Sequence, residues 1–168
     1  MAENEELQEK KKIKLLLSLM VVLLAIIVAI VIFYVRANQP MVQARKEAIA
    51  IAQKSAHLKS ADHFYWFTRQ KTYFSVTGKD DKGTEVAVII PKSGEKITVL
   101  NQQDGITEAQ ARSTVAAAQP QDEVIKATLG LYEDRPVWEV MTKNSQKEVT
   151  YYLLSFDKGE TIKEIQNV

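Results

Sequence analysis

The chain has 168 residues, 26% of them charged, with 22 Lys and Arg against 21 Asp and Glu, so its net charge is +1. Near-neutrality argues against a nucleic-acid binder and against a polybasic patch for anionic lipid. The lack of any cysteine removes disulfides, thiol catalysis, thiolate metal sites and a lipid-bearing cysteine, so stability has to come from packing.

Residues 1–14 read as a short charged tail, and Leu15 to Val35 (LLLSLMVVLLAIIVAIVIFYV) as a membrane-spanning helix. The run holds no charge, no Gly and no Pro. At about 1.5 Å per residue it spans about 30 Å, the thickness of a bilayer's hydrocarbon core, and a helix satisfies its own backbone groups in lipid. Lys10, Lys11, Lys12 and Lys14 crowd the N-terminal side, whereas Arg36 stands alone on the other until Arg45 and Lys46. That asymmetry places residues 1–14 in the cytoplasm and everything after Arg36 outside, and Glu3, Glu5, Glu6 and Glu9 weigh little in it. Phe33 and Tyr34 fall where interfacial aromatics sit. Val35-Arg36-Ala37 loosely offers a cleavage site, but the apolar run exceeds a signal peptide's and an Arg interrupts the site, so the anchor is expected to stay. A pilin-like helix is excluded too, because no acidic residue lies between Glu9 and Glu47.

Beyond the membrane, about 130 residues suffice for one ordinary domain or two small ones. Ala37 to Pro40 is expected to break the helix, and Arg36 to Pro40 extends about 17 Å at most, which keeps the next element close to the outer face. Pro40 suits a helix start. MVQARKEAIAIAQKSAHLK follows, with Met41, Ala44, Ala48, Ile51 and Ala52 on one side. Strands are expected at His63–Gln70, Thr72–Lys79, Thr84–Pro91 and Lys96–Asn101, with turn chemistry at Asp80 to Gly83 and Ser93 to Glu95. Asn101 to Gly105 marks the boundary between a first domain, 36–103, and a second, 104–168. There Thr107 and Gln110 form a capping box for a helix whose apolar face is Ile106, Ala111, Val115 and Ala118, ending at Pro120. Val124–Tyr132, Val137–Thr142, Glu148–Phe156 and Thr161–Ile165 are the remaining strands. QARKEAIAIAQ parallels EAQARSTVAAAQ, and TYFSVTGKDDKGTEVAVII parallels RPVWEVMTKNSQKEVTYYLL, so the same unit is expected twice. The fold class is α+β, one helix on a three- or four-stranded antiparallel sheet, repeated.

Motifs for chemistry are weak. His57 and His63 are six residues apart and share no helix face for a metal. Ser93-Gly94-Glu95-Lys96 and Ser155-Phe156-Asp157-Lys158 have the spacing of a serine acyl-enzyme, but both lie in hairpin turns, where no helix stacks the lysine beside the serine. Asp80-Asp81-Lys82-Gly83 lacks the closing glutamate of a calcium loop. No phosphate loop is present, so no catalytic residue, metal or cofactor is expected. The aromatic strands remain: alternation sends Phe64 and Trp66 to one face and Tyr65 and Phe67 to the other, one face core and the other core or interface. Trp138 with Tyr151 repeats that choice, which makes Tyr65, Trp66, Phe67, Trp138 and Tyr151 the candidate interaction surface. Ala25 and Ala29 form a small-residue pair in the membrane helix.

With Tyr73-Phe74-Ser75-Val76-Thr77-Gly78-Lys79-Asp80, Gly83 and EVAVIIPK, and with Ile106 to Ala111, Val137-Trp138-Glu139-Val140 and Asp157-Lys158-Gly159, nearly the whole chain resembles the YpmB family of Gram-positive bacteria, also called TseB-like cell-wall elongation regulators. The resemblance implies two cystatin-like or PepSY-like units behind a membrane anchor. It implies a non-enzymatic protein that works by contact beside a penicillin-binding protein or another membrane-bound wall enzyme. Because PepSY-like units elsewhere accompany or restrain peptidases, an inhibitor or sensor of an extracytoplasmic peptidase is the alternative.

Overall fold

The computed structural model describes residues 2–166, with side chains from Lys11 onward, so the expected charges of Glu3, Glu5, Glu6, Glu9 and Lys10 lie outside the described side chains. The chain divides after Gln43 into two compact units.

Helix α1 spans Ala2–Ser55. Among the described residues it is the one helix long and apolar enough to cross a membrane, with a mean hydropathy of 3.5 in its most apolar window and none of that window buried. The large apolar side chains from Leu15 to Val35 are 50–76% exposed, as no core helix would be. Ser18, the hydroxyl inside this run, donates to the Leu15 carbonyl at 2.8 Å and so is satisfied within the helix. The expected break at Ala37 to Pro40 is absent, because α1 runs through Pro40. A proline removes only the bond its own N–H makes to the preceding turn. Good helix formers on both sides (Arg36, Ala37, Gln39, Met41, Gln43, Ala44) sustain the rest, and the Asn38 side chain donates to the Tyr34 carbonyl at 3.0 Å.

The second unit begins with the last turns of α1. His57 takes a left-handed φ of 50°, and β1 (Leu58–Thr68) starts at once, followed by β2 (Thr72–Asp80), β3 (Glu85–Pro91), β4 (Thr98–Asn101), a 3-10 turn at Gln102–Asp104, α2 (Glu108–Ala118), β5 (Glu123–Tyr132), β6 (Arg135–Lys143), β7 (Val149–Ser155) and β8 (Thr161–Gln166). The strands form two four-stranded antiparallel meanders, β1-β2-β3-β4 and β5-β6-β7-β8. The fold is thus α+β, with a helix ahead of each sheet. Strand β1 begins five residues before the expected His63 because register shifts between Leu58 and Ser60 and between Ala61 and His63 scramble its period-2 pattern. A side chain at Gly78 would collide with the Ser60 backbone beside these bulges, so glycine is needed there.

Alternation on β2 and β3 splits the interior in two. Val76, Val86, Val88 and Ile90 face α1, where Ala48 and Ala52 are buried against them with Ile49 at the margin. Of the expected face, Met41 and Ile51 stay 48% and 37% exposed. The other face presents Phe67, Tyr73, Ala87 and Ile89 to a core shared with the second sheet and α2. Helix α2 buries Ala111 and Val115 in that core, while Ala118, expected with them, is exposed. Its capping box forms as read: the Thr107 hydroxyl accepts from the Gln110 N–H at 3.2 Å, and the Gln110 side chain accepts from the Thr107 N–H at 2.8 Å.

Candidate functional site

The structure does not gather the five aromatic residues into one surface. Phe67, Trp138 and Tyr65 are buried, at 0%, 1% and 7% exposure, in the core between the sheets. Tyr65 and Trp138 meet edge to face, with centroids 5.3 Å apart. Trp66 projects from the opposite face of β1, half-buried and edge-on to Phe74 at 5.0 Å, its indole N–H donating to the Thr68 hydroxyl at 3.1 Å. Tyr151 is half-buried under the Arg69 guanidinium, which lies 4.0 Å from its ring centre. Accessible surface in this set therefore belongs to Trp66 and Tyr151, on separate faces.

Polar contacts tie the two sheets. Arg69, in the β1–β2 turn, is ion-paired through Nε to Glu139 on β6, with side chains 19% and 7% exposed. Ser75, fully buried on β2, donates to the Leu129 carbonyl on β5 at 2.7 Å. Tyr65 donates to Glu108 Oε2 on α2 at 2.9 Å. Burial first, then the Glu108 carboxylate, push the Tyr65 phenol well above the usual tyrosine range.

That shift has a pH signature. A raised folded-state pKa gives stability that is full below the unfolded tyrosine value of about 10 and is lost as pH climbs above it. Tyr65→Phe should lower stability by about 1.5 kcal/mol at neutral pH, where a hydrogen bond to a charged acceptor is lost. It should also flatten the alkaline decline seen in wild type. Unfolding midpoints between pH 8 and pH 11 for the two proteins test this, and parallel curves would disprove it.

His63, Ser155 and Asp80 each make a contact within their own sheet or turn. His63 stacks on Tyr65, with centroids 6.1 Å apart. Ser155 accepts from the Glu160 N–H at 3.2 Å inside its turn. Asp80 accepts from the Lys82 and Thr84 N–H groups at 2.9 and 2.8 Å, so it closes a polar turn. Among the described residues no group of three His, Asp or Glu is placed to hold a metal.

A cleft of about 470 Å³ opens between β1–β3 of the first sheet and the start of α2. Asp62 and Glu85 stand at its lip on the sheet side, Glu108 and Arg112 on the helix side, and Tyr65, Val86 and Trp138 lie along its floor. Arg112 Nη1 approaches Glu108 at 3.8 Å, and its Nη2 donates to the Val124 carbonyl at 3.2 Å, which turns the guanidinium toward its own half. Sequence reasoning passed over this cleft. Its acids come from β1, β3 and α2, and only the packing of the two halves brings them together.

Residues 47–91 match the family described as the cell wall elongation regulator TseB-like domain. No curated protein matches the chain. Among solved structures, the chain is similar to the YpmB protein from Bacillus subtilis, at 24% identity and a TM-score of 0.63 over 72% of this chain and 95% of that one. That likeness establishes the fold. A putative lipoprotein from Clostridium difficile 630 aligns at 17% identity and a TM-score of 0.39 over 73% of this chain and 91% of that one.

Proposed function

We propose that this chain, whose residues 47–91 belong to the TseB-like family, is a single-pass membrane protein that regulates cell-wall elongation by direct contact with a membrane-bound wall enzyme. Residues 1–14 are cytoplasmic, Leu15–Val35 cross the bilayer, and the remainder acts outside as a first domain, 36–103, and a second, 104–168. A penicillin-binding protein is the partner class. The observation that carries the reading is the α1 segment with every large apolar side chain exposed, leading into a unit whose matched family is described as a regulator. Lipid is the environment that accepts so continuous an apolar surface, and a tethered domain meets other membrane proteins at high effective concentration.

The reading is tested in cells by comparing the native protein with a form whose residues 1–35 are exchanged for a cleavable signal. The native form should co-purify with a wall synthase and the released form should lose it. Equal recovery would remove tethering from the mechanism, a cytosolic reporter fused after Val168 would reverse the topology, and recovery of a peptidase alone would replace the partner class.

A further inference from the structure

We infer that the cleft between the first sheet and α2 receives a lysine or arginine side chain of the partner protein. This rests on the contact reading above and names the surface that makes the contact. Three carboxylates border the cleft, Asp62, Glu85 and Glu108. The Asp62 carboxylate makes no hydrogen bond or ion pair among the described residues. Glu85 has only Lys79, at 4.0 Å on an exposed hairpin, a pair that adds little. Arg112 is turned to Glu108 and the Val124 carbonyl, so it answers one acid and leaves two.

The shape supports the same guest. At about 470 Å³ the cleft is in the range of ligand-binding cavities, and its floor of Val86 and the edges of Tyr65 and Trp138 is apolar below a charged rim. Long basic side chains need that combination, with methylenes against apolar surface and the charged head held near carboxylates and water. The positive end of α2 does not oppose the cation, because Thr107 and Gln110 cap its first turn and Glu108 supplies a negative charge at its first position. An anionic guest meets the opposite balance and is disfavoured.

The test uses the full chain in phosphatidylcholine nanodiscs. The protein has two tryptophans, so labelling their indole nitrogens gives two resonances, one from Trp138 at the cleft floor and one from Trp66 on the opposite face of β1. Acetyl-Gly-Lys-Gly-amide and its Arg counterpart should shift Trp138 saturably and leave Trp66 still, with affinity falling at high salt. The same peptide with an acetylated lysine should produce no shift. Asp62→Asn with Glu85→Gln should weaken the charged peptides about threefold to tenfold, and both positions are exposed enough to tolerate the change without unfolding. No Trp138 shift, an equal shift from the acetylated peptide, or undiminished affinity in the double variant would overturn the assignment. If that double variant still captures the wall synthase while the peptides fail to bind, the contact reading survives and the cleft loses its role. If the peptides bind and no synthase is captured, the reverse holds.

Discussion

Replacing Gly130 with alanine should lower stability by about 3 kcal/mol or more, at the top of the range for overpacked cores. Gly130 is buried in mid-strand on β5, opposite Val137 on β6. A Cβ added there would lie 2.2 Å from the Phe67 Cγ and only 2.7 Å from the Phe67 Cβ. That last distance decides the outcome, because the Phe67 Cβ is fixed to strand β1 and no rotamer change moves it away. The two sheets would have to separate around a core in which Phe67, Leu129, Val137 and Leu153 have no exposed surface. Against this, alanine returns only about 0.5–1 kcal/mol of backbone entropy. Phe67→Ala alone should cost about 3–5 kcal/mol through its cavity. In the Gly130→Ala background that second loss should be smaller, since removing the ring relieves the contacts to its Cγ and Cδ1 at 2.2 and 2.5 Å and leaves only the one to the Cβ. Denaturant midpoints of the four proteins, each as the full chain in detergent, give the coupling. Additive losses would mean that Phe67 does not pack on the Gly130 backbone.

Much of this packing was legible before the fold was known, and where it was not, a nearby contact explains why. Alternation through Tyr65, Trp66 and Phe67 separated the inward face of β1 from the outward one, because that stretch pairs with β2 in unbroken register. The same logic failed five residues earlier, where two bulges interrupt the period. The capping box at Thr107 was readable because all its partners lie within three residues. Pro40 misled because its cost is local, one hydrogen bond, and residues on both sides favour helix strongly enough to absorb it. The mutual burial of the two halves left no periodic trace. Gly130 looks like a generic strand glycine, and Glu139 and Arg69 like surface charges, until the sheets are stacked.

Arg69 and Glu139 should behave as a unit that is harmful when halved. Arg69→Ala should cost about 3 kcal/mol, near the lower end of the range for a broken buried pair because the guanidinium side retains some water. Glu139 sits in mid-strand with a side chain only 7% exposed. Left without the arginine, its nearest polar contact is the Thr128 hydroxyl at 3.5 Å, too long to hold a carboxylate by itself. Glu139→Ala should cost less, since Arg69, 19% exposed and bracing its plane on Tyr151 at 4.0 Å, can swing its charge outward. Arg69→Lys should fall between wild type and Arg69→Ala, because an ammonium keeps the charge but lacks the planar face that stacks on Tyr151. Joining the two halves with apolar groups, Arg69→Met with Glu139→Leu, should recover most of the loss, because neither charge is then stranded and the volume stays filled. The measurement is a double-mutant cycle on unfolding midpoints. If the paired substitution is as unstable as the sum of Arg69→Met and Glu139→Leu measured singly, the ion pair does not hold the sheets together, and their alignment rests on the shared core and the Ser75 and Tyr65 hydroxyls.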